Sequence, residues 1–330
     1  MSLPLRNAAL EAAIQPRLAL VEERLRDAVA QSDRLADATS RHLVDAGGKR
    51  LRPLLTLLAA QLGEGSRPEV LDAAVVVELT HLATLYHDDV MDSAPTRRGA
   101  PAAHEVWGNS VAILTGDLLF ARASRVVAGL GPQAVRIQAE TFERLCLGQL
   151  HETVGPAEGE DPVVHYLDVL ADKTGSLIAT SARFGAMFAG CTPDVVERVA
   201  QYGELAGVAF QLADDVIDIR SEAEVTGKTP GTDLRERVAT LPVLLLRERV
   251  RQGGAAEDAE LLAAIDGDLD DDAVLRDVVE RLREHTVITE TVELAQDWAD
   301  RAVEALDGLP EGEVKDALVA FAEALVARAA

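Results

Sequence analysis

The chain has 330 residues, 48% of them hydrophobic but only 3% aromatic, with Ala, Leu and Val dominating. Few runs alternate in β fashion, so the composition favours packed helices over sheets and predicts an all-α protein. A formal net charge of −24 excludes nucleic acid or an anionic membrane surface as the main partner, because each is a polyanion that needs a basic footprint.

The first twenty residues lack a basic region followed by an uninterrupted apolar core, and no long uncharged apolar stretch follows anywhere. This pattern predicts a soluble, cytoplasmic protein without a transmembrane segment. Helical periodicity then runs almost end to end, broken at Gly47-Gly48 and over 63–68, 93–101, 154–162, 227–233 and 251–254. None of these breaks reads as an interdomain linker and no repeat is visible, so a single domain over 1–330 is expected.

The first break opens GGKRLRP at 47–53. Two glycines can end a helix and expose backbone N–H groups, while Lys49 and Arg52 project from the start of the next helix, where anions are favoured. This is a candidate diphosphate cradle; the plainer alternative is a basic loop balancing acidic neighbours. From Glu69 a long helix, apolar around most of its circumference, ends near Asp92. On it His81, Asp88 and Asp92 share one stripe, at i, i+7 and i+11. TRRG at 96–99 adds a second cation cluster. Cys146 and Cys191 have no partners at zinc-like spacing and are expected as reduced core residues. A second long helix over about 192–219 places Gln211, Asp214 and Asp218 on a single stripe. In the acidic last third, Asp270 to Asp272 read as a helix cap and first-turn charges.

Each long helix therefore ends in DDxxD, as DDVMD and then DDVID. Carboxylates at i and i+4 lie on one helix face, about 5–6 Å apart, near enough to share a divalent cation. Without a cation, their mutual repulsion and desolvation would raise their pKa values. Donor sets made only of oxygen, with no paired His or Cys, point to a hard ion, above all Mg²⁺, and Mg²⁺ held this way implies a phosphorylated substrate. GKT at 227–229 resembles the end of a P-loop, but Glu222 stands where its first glycine is required. The minimum residues for metalloprotease, serine hydrolase and dinucleotide chemistry are also missing, and lone His42, His104 and His151 read as surface or core residues.

In order along the chain, GGKRLRP, ELTHLATLYHDDVMDSAPTRRG, GDLLF, KTGSL, FQLADDVIDI and GKTPGTD resemble the trans-isoprenyl diphosphate synthases, the family of farnesyl and longer polyprenyl diphosphate synthases. The resemblance implies a helical bundle around a central apolar pocket, a homodimer, and three Mg²⁺ ions between the two aspartate motifs gripping an allylic diphosphate. It assigns metal binding to Asp88, Asp92 and Asp214, with Asp89, Asp215 and Asp218 in support through water. Arg97, Lys173 and Lys228 would hold the allylic diphosphate; Lys49, Arg52, His81 and Arg98 would bind isopentenyl diphosphate. Lys173, Thr174 and Gln211 would act at the reacting allyl group. The implied reaction is condensation of isopentenyl diphosphate with an allylic diphosphate such as farnesyl or geranylgeranyl diphosphate.

One departure is visible: the family usually reads DLREGK, and here Arg237 replaces the glycine and Val238 the lysine. Small Ala83 and Thr84 precede Asp88 where, in the family, a bulky aromatic residue stops chain growth, so a product of about C30 to C40 or longer is expected, with Phe142 a candidate for the pocket floor. A non-catalytic subunit of a heteromeric synthase and a Mg²⁺-dependent terpene cyclase are the competing readings. The filled aspartate motifs disfavour the first and the filled isopentenyl diphosphate positions disfavour the second.

Overall fold

The computed structural model describes residues 7–220 and 230–329, so Lys228 lies outside the described residues. The chain folds as α1 (Ala8–Val29), α2 (Arg34–Asp45), α3 (Leu51–Ala59), α4 (Pro68–Met91), α5 (Ala103–Trp107), α6 (Asn109–Ala128) and α7 (Pro132–Val154). There follow α8 (Pro162–Leu170), α9 (Ser176–Phe188), α10 (Pro193–Arg220), α11 (Thr232–Arg235), α12 (Leu241–Arg251), α13 (Ala256–Ile265), α14 (Asp272–Arg283), α15 (Thr286–Ala305) and α16 (Glu313–Val326). The strands among the described residues are two-residue segments, β1 (Thr96–Arg97) and β2 (Ala100–Pro101), so the all-α expectation holds. No helix among the described residues is long and apolar enough to cross a membrane.

Two compact units form, each from separate stretches of chain. The first comprises Met1–Leu145, Ser176–Glu204 and Ala305–Phe321; the second comprises Cys146–Gly175, Leu205–Glu304 and Ala322–Ala330. At the centre of the first unit is α4, which packs against α1, α3, α6 and α9. It starts with Pro68 in its first turn, where the missing N–H costs nothing. It stops at Asp92, after which Ser93 turns left-handed at φ 51°. Valines, leucines and alanines on every side of it are buried, as its unbroken apolar sequence requires. Close approach to α6 depends on Gly116, where a Cβ would lie 3.0 Å from the Ala83 carbonyl oxygen and closer still to the His87 ring.

The second unit surrounds the last turns of α10. Leu212, Val216, Leu246, Leu282 and Ile288 join one apolar cluster there. Asp271 caps α14 by accepting from the amides of Ala273 and Val274, the cap its acidic run announced. The expectation that both cysteines are core residues fails. Cys146 is exposed and Cys191 half-buried, both as free thiols. On α7 the inward positions belong to Thr141 and Leu145, and the residue after Leu145 is rotated by about 100° toward solvent.

Candidate active site

In the first unit, cations converge on His81. Arg50 precedes α3 in a left-handed conformation, φ 49°, and is 5% exposed. Its guanidinium is fully engaged: Nη1 donates to Glu78 Oε1 at 2.8 Å and Gly47 O at 3.3 Å, Nη2 to Val44 O at 3.1 Å, and Nε to Glu22. Burial alone would discourage its charge, but the hydrogen bonds and charges of Glu22 and Glu78 outweigh that and raise its pKa. Arg98 reaches the same place from the β1–β2 turn. Arg98 and Gly99 both have positive φ, 56° and 80°, as a tight two-residue hairpin demands. Arg98 Nη1 donates to Leu43 O at 3.1 Å and to Gly47 O, and Nη2 stands 4.0 Å from Glu78. Gly48 makes room for it, since a Cβ there would meet the Arg98 guanidinium carbon at 2.7 Å.

Arg52, in the first turn of α3, has a buried Nε with no protein partner. Burial pushes its pKa down to about 10, against the pull of Glu78. His81 is held well below its ordinary value by burial first and then by Arg52, Arg98, Arg97 and Arg50. It is therefore a neutral imidazole among cations, able to hydrogen-bond an anion without adding charge.

Two helical turns further along α4 the sign inverts. Asp88 is half-buried, Asp92 exposed and Asp89 fully buried. Asp89 Oδ1 takes Arg97 Nε at 2.6 Å and the neighbouring guanidinium nitrogen at 2.5 Å, so Arg97, expected at the allylic diphosphate, stands as the counter-ion of the first motif. Asp89 Oδ2 is buried without a hydrogen-bond partner, as expected of a position completed by water or a hydrated ion. No three His, Cys, Asp or Glu side chains among the described residues form a ready-made metal cage. An ion that takes one or two carboxylates and fills its shell with water and substrate oxygens needs no such cage, so the oxygen-only donors of this motif fit Mg²⁺.

The second unit contains the other motif. Asp214 and Asp218 are half-buried on α10, while Asp215 is 2% exposed. Tyr166 donates to Asp215 Oδ2 at 2.7 Å and the Leu241 amide does so at 3.3 Å. Burial drives the Asp215 carboxyl well above the usual range, against the Tyr166 bond. Arg328 Nη1 lies 3.2 Å from Asp214 Oδ1, and Asp218 Oδ2 accepts from the Asp233 amide at 3.2 Å. Between α8 and α9 the helix widens into a π turn, Ala171–Gly175, a distortion frequent at functional sites. It carries Lys173, paired with Glu152, and Thr174, whose hydroxyl donates to Gln211 Oε1 at 3.3 Å. Thr174 and Gln211, both expected at the reacting allyl group, are thus hydrogen-bonded to each other.

Of the chain-length positions, Ala83 is fully buried, with its carbonyl oxygen facing Gly116 of α6, whereas Thr84 is half-buried and its hydroxyl donates to His81 O at 2.9 Å. Phe142 stacks on Phe120 with ring centroids 3.8 Å apart. Arg237 is left-handed at φ 60°, a conformation that favours the glycine the resemblance leads one to expect there. Val238 is 37% exposed. Sequence reasoning missed Glu22, Glu78, Glu152, Tyr166 and Arg328. The signal for Glu78 was present as a lone carboxylate three residues before His81 in an apolar helix.

Residues 33–282 match the family model described as polyprenyl synthetase. The chain belongs to the polyprenyl synthetase family. It is 46% identical to nonaprenyl diphosphate synthase of Mycobacterium tuberculosis over 98% of this chain and 95% of that one. It is 37% identical to heptaprenyl diphosphate synthase component 2 of Geobacillus stearothermophilus, over 91% and 92% respectively. Among solved structures it resembles a polyprenyl synthase from Caulobacter crescentus complexed with calcium and isoprenyl diphosphate, with a TM-score of 0.88, 34% identity and 97% of both chains covered. As a polyprenyl synthetase of the long-chain, trans-isoprenyl type, the protein is a prenyl-transferring enzyme that makes long-chain polyprenyl diphosphate.

Proposed function

We propose that the enzyme condenses isopentenyl diphosphate repeatedly with an allylic diphosphate, with Mg²⁺ as its metal, to give an all-trans product of about C30 to C40 or longer. The observation that carries this reading is the inversion of charge along α4. Cation-surrounded His81 and the acidic pair Asp88 and Asp92 share one stripe, about 10 Å apart for seven residues of helix rise. One station suits a diphosphate taken without metal; the other suits a diphosphate taken with metal. Calcium and isoprenyl diphosphate in the Caulobacter complex support the same pairing of divalent ion and prenyl ester.

In this reading Lys49, Arg52, His81 and Arg98 bind isopentenyl diphosphate. Asp88, Asp92 and Asp214 ligate three Mg²⁺ ions, supported by Asp89, Asp215 and Asp218, and Arg97, Lys173 and Lys228 hold the allylic diphosphate. Bound Mg²⁺ would neutralise the charge that develops on the leaving diphosphate. Heterolysis of the allylic C–O bond sends the electron pair to diphosphate oxygen and leaves an allylic cation, beside which Lys173, Thr174 and Gln211 act. The double bond of isopentenyl diphosphate attacks that cation, and a proton is lost to the diphosphate. Apolar helix faces keep water from the cation. The chain acts as a single catalytic domain in the cytoplasm. Val106 on α5 and Ile113 and Leu114 on α6 are exposed apolar residues that a homodimer would cover.

Incubation of the purified chain with Mg²⁺, farnesyl diphosphate and labelled isopentenyl diphosphate tests the proposal. Long-chain labelled product that disappears with a chelator is expected. Inactivity of the chain alone would favour the heteromeric reading, which the name of the Geobacillus component 2 keeps open. Consumption of the allylic ester without isopentenyl diphosphate would favour a cyclase. Thr84→Phe should shorten the product, read by chromatography; an unchanged product length would remove Thr84 from the path of the growing tail.

A further inference from the structure

The cations around His81 pose a problem of assembly. Arg50, Arg52 and Arg98 crowd together in the first unit, and like charges in a partly desolvated place repel strongly. Left alone they would splay toward water, and a diphosphate would first have to gather them. Glu78 is the carboxylate that all three sense. It is 2% exposed, lies one turn before His81 on α4, and accepts from Arg50 at 2.8 Å. Arg98 stands 4.0 Å away, and the charge of Glu78 acts on Arg52 as well.

We propose that Glu78 is the positioning residue of the isopentenyl diphosphate site, a buried carboxylate that holds Arg50 and Arg98 in place so that Arg52, Arg98 and His81 meet the diphosphate already assembled. The inference rests on the assignment of that site in the proposed function. Arg50 belongs to the frame and not to the ligand shell, because its nitrogens are committed to Glu22, Glu78, Gly47 and Val44. Arg98 is bound to the carbonyls of Leu43 and Gly47, which line the same turn, and Glu78 balances its charge from beneath. Arg52 is different: its buried Nε has no protein partner, so it retains donor capacity for an incoming anion. Glu78 thus contacts the two arginines that shape the cradle, while Arg52 feels only its charge and keeps a donor for the ligand. Preassembly of this kind lowers the ordering cost of binding and acts on affinity for the diphosphate it faces.

Glu78→Gln keeps the shape and an acceptor but removes the charge. The expected result is a rise of about tenfold or more in KM for isopentenyl diphosphate, with kcat and KM for farnesyl diphosphate changed by less than about threefold. Calorimetry of isopentenyl diphosphate binding without metal should show the same loss of affinity. A lower melting temperature with both KM values unchanged would make Glu78 a structural ion-pair partner only and overturn the proposal, as would equal rises in both KM values. Should the Gln variant fail to fold, Glu78→Asp supplies the test. Withdrawing the carboxylate by one methylene should raise KM for isopentenyl diphosphate selectively, by about threefold, and an unchanged value would refute the role. Wild-type enzyme that neither binds nor consumes isopentenyl diphosphate would refute the site assignment itself, a result distinct from failure of the Glu78 variants alone.

Discussion

Asp89 and Asp215 occupy the same place in the two acidic motifs and are both withdrawn from solvent, at 0% and 2% exposure, yet their partners differ in charge. Asp89 faces the Arg97 guanidinium, while Asp215 faces the neutral Tyr166 hydroxyl and the Leu241 amide. Helix geometry explains the shared burial. In DDxxD the first and last aspartates lie on one side, and the second is turned about 100° from the first, into the protein. The second position therefore anchors the helix end and aims the other two. The first unit anchors with an ion pair and the second with neutral donors, under which burial favours the uncharged carboxyl.

The largest expected effect separates outward from inward aspartates. Asp88→Ala and Asp214→Ala should each lower turnover by at least about 100-fold, the scale of one lost preorganised electrostatic contact. Steady-state kinetics checks this, and near-normal condensation by either variant would break the distinction. The inward pair can then be compared in urea denaturation. Asp89→Asn leaves Arg97 without its counter-charge and should cost about 2–3 kcal/mol. Asp215→Asn keeps an acceptor for Tyr166 and Leu241 and should cost less than about 1 kcal/mol. Equal losses would erase the difference between the anchors.

A smaller effect concerns His81, which burial and arginines also hold toward neutrality. Its folded pKa lies below the usual 6.5, so the unfolded chain binds the proton more tightly. Its contribution to stability is complete above that value and is lost progressively as pH falls below it, toward the depressed folded pKa. In unfolding measurements from pH 7.5 to 5, His81→Gln should flatten the stability profile. An unaltered slope would mean that His81 is not desolvated among cations.

Long elements were legible in the sequence because apolar residues repeat at helical spacing: the first long helix ends at Met91, one residue from where its pattern stops, and the second is helical throughout its pattern as far as Arg220, the last residue described before 230. The stripes joining His81 to Asp88 and Gln211 to Asp214 were equally readable, since position on a helix follows from spacing alone. What escaped was charge pairing across elements. Nothing local tells that Glu22 on α1 meets Arg50 before α3, or that Arg328 near the C-terminus meets Asp214, because these partners are distant in the chain. The 93–101 break hid a turn whose positive φ at Arg98 swings a guanidinium back to Gly47, a backbone choice that an arginine does not advertise. Ala83 shows the limit of composition for a related reason: in sequence, a small residue looks the same whether it leaves room for a ligand or for a neighbouring helix.

The proposed function requires that both acidic motifs serve a single leaving diphosphate. Single-turnover rates of Asp88→Ala, Asp214→Ala and the double variant, at saturating Mg²⁺ and substrates, test it most directly. Groups that work together are strongly non-additive, so the double variant should be scarcely slower than the worse single variant. A double variant slowed by the product of the two single effects would show the motifs acting independently and would contradict the account.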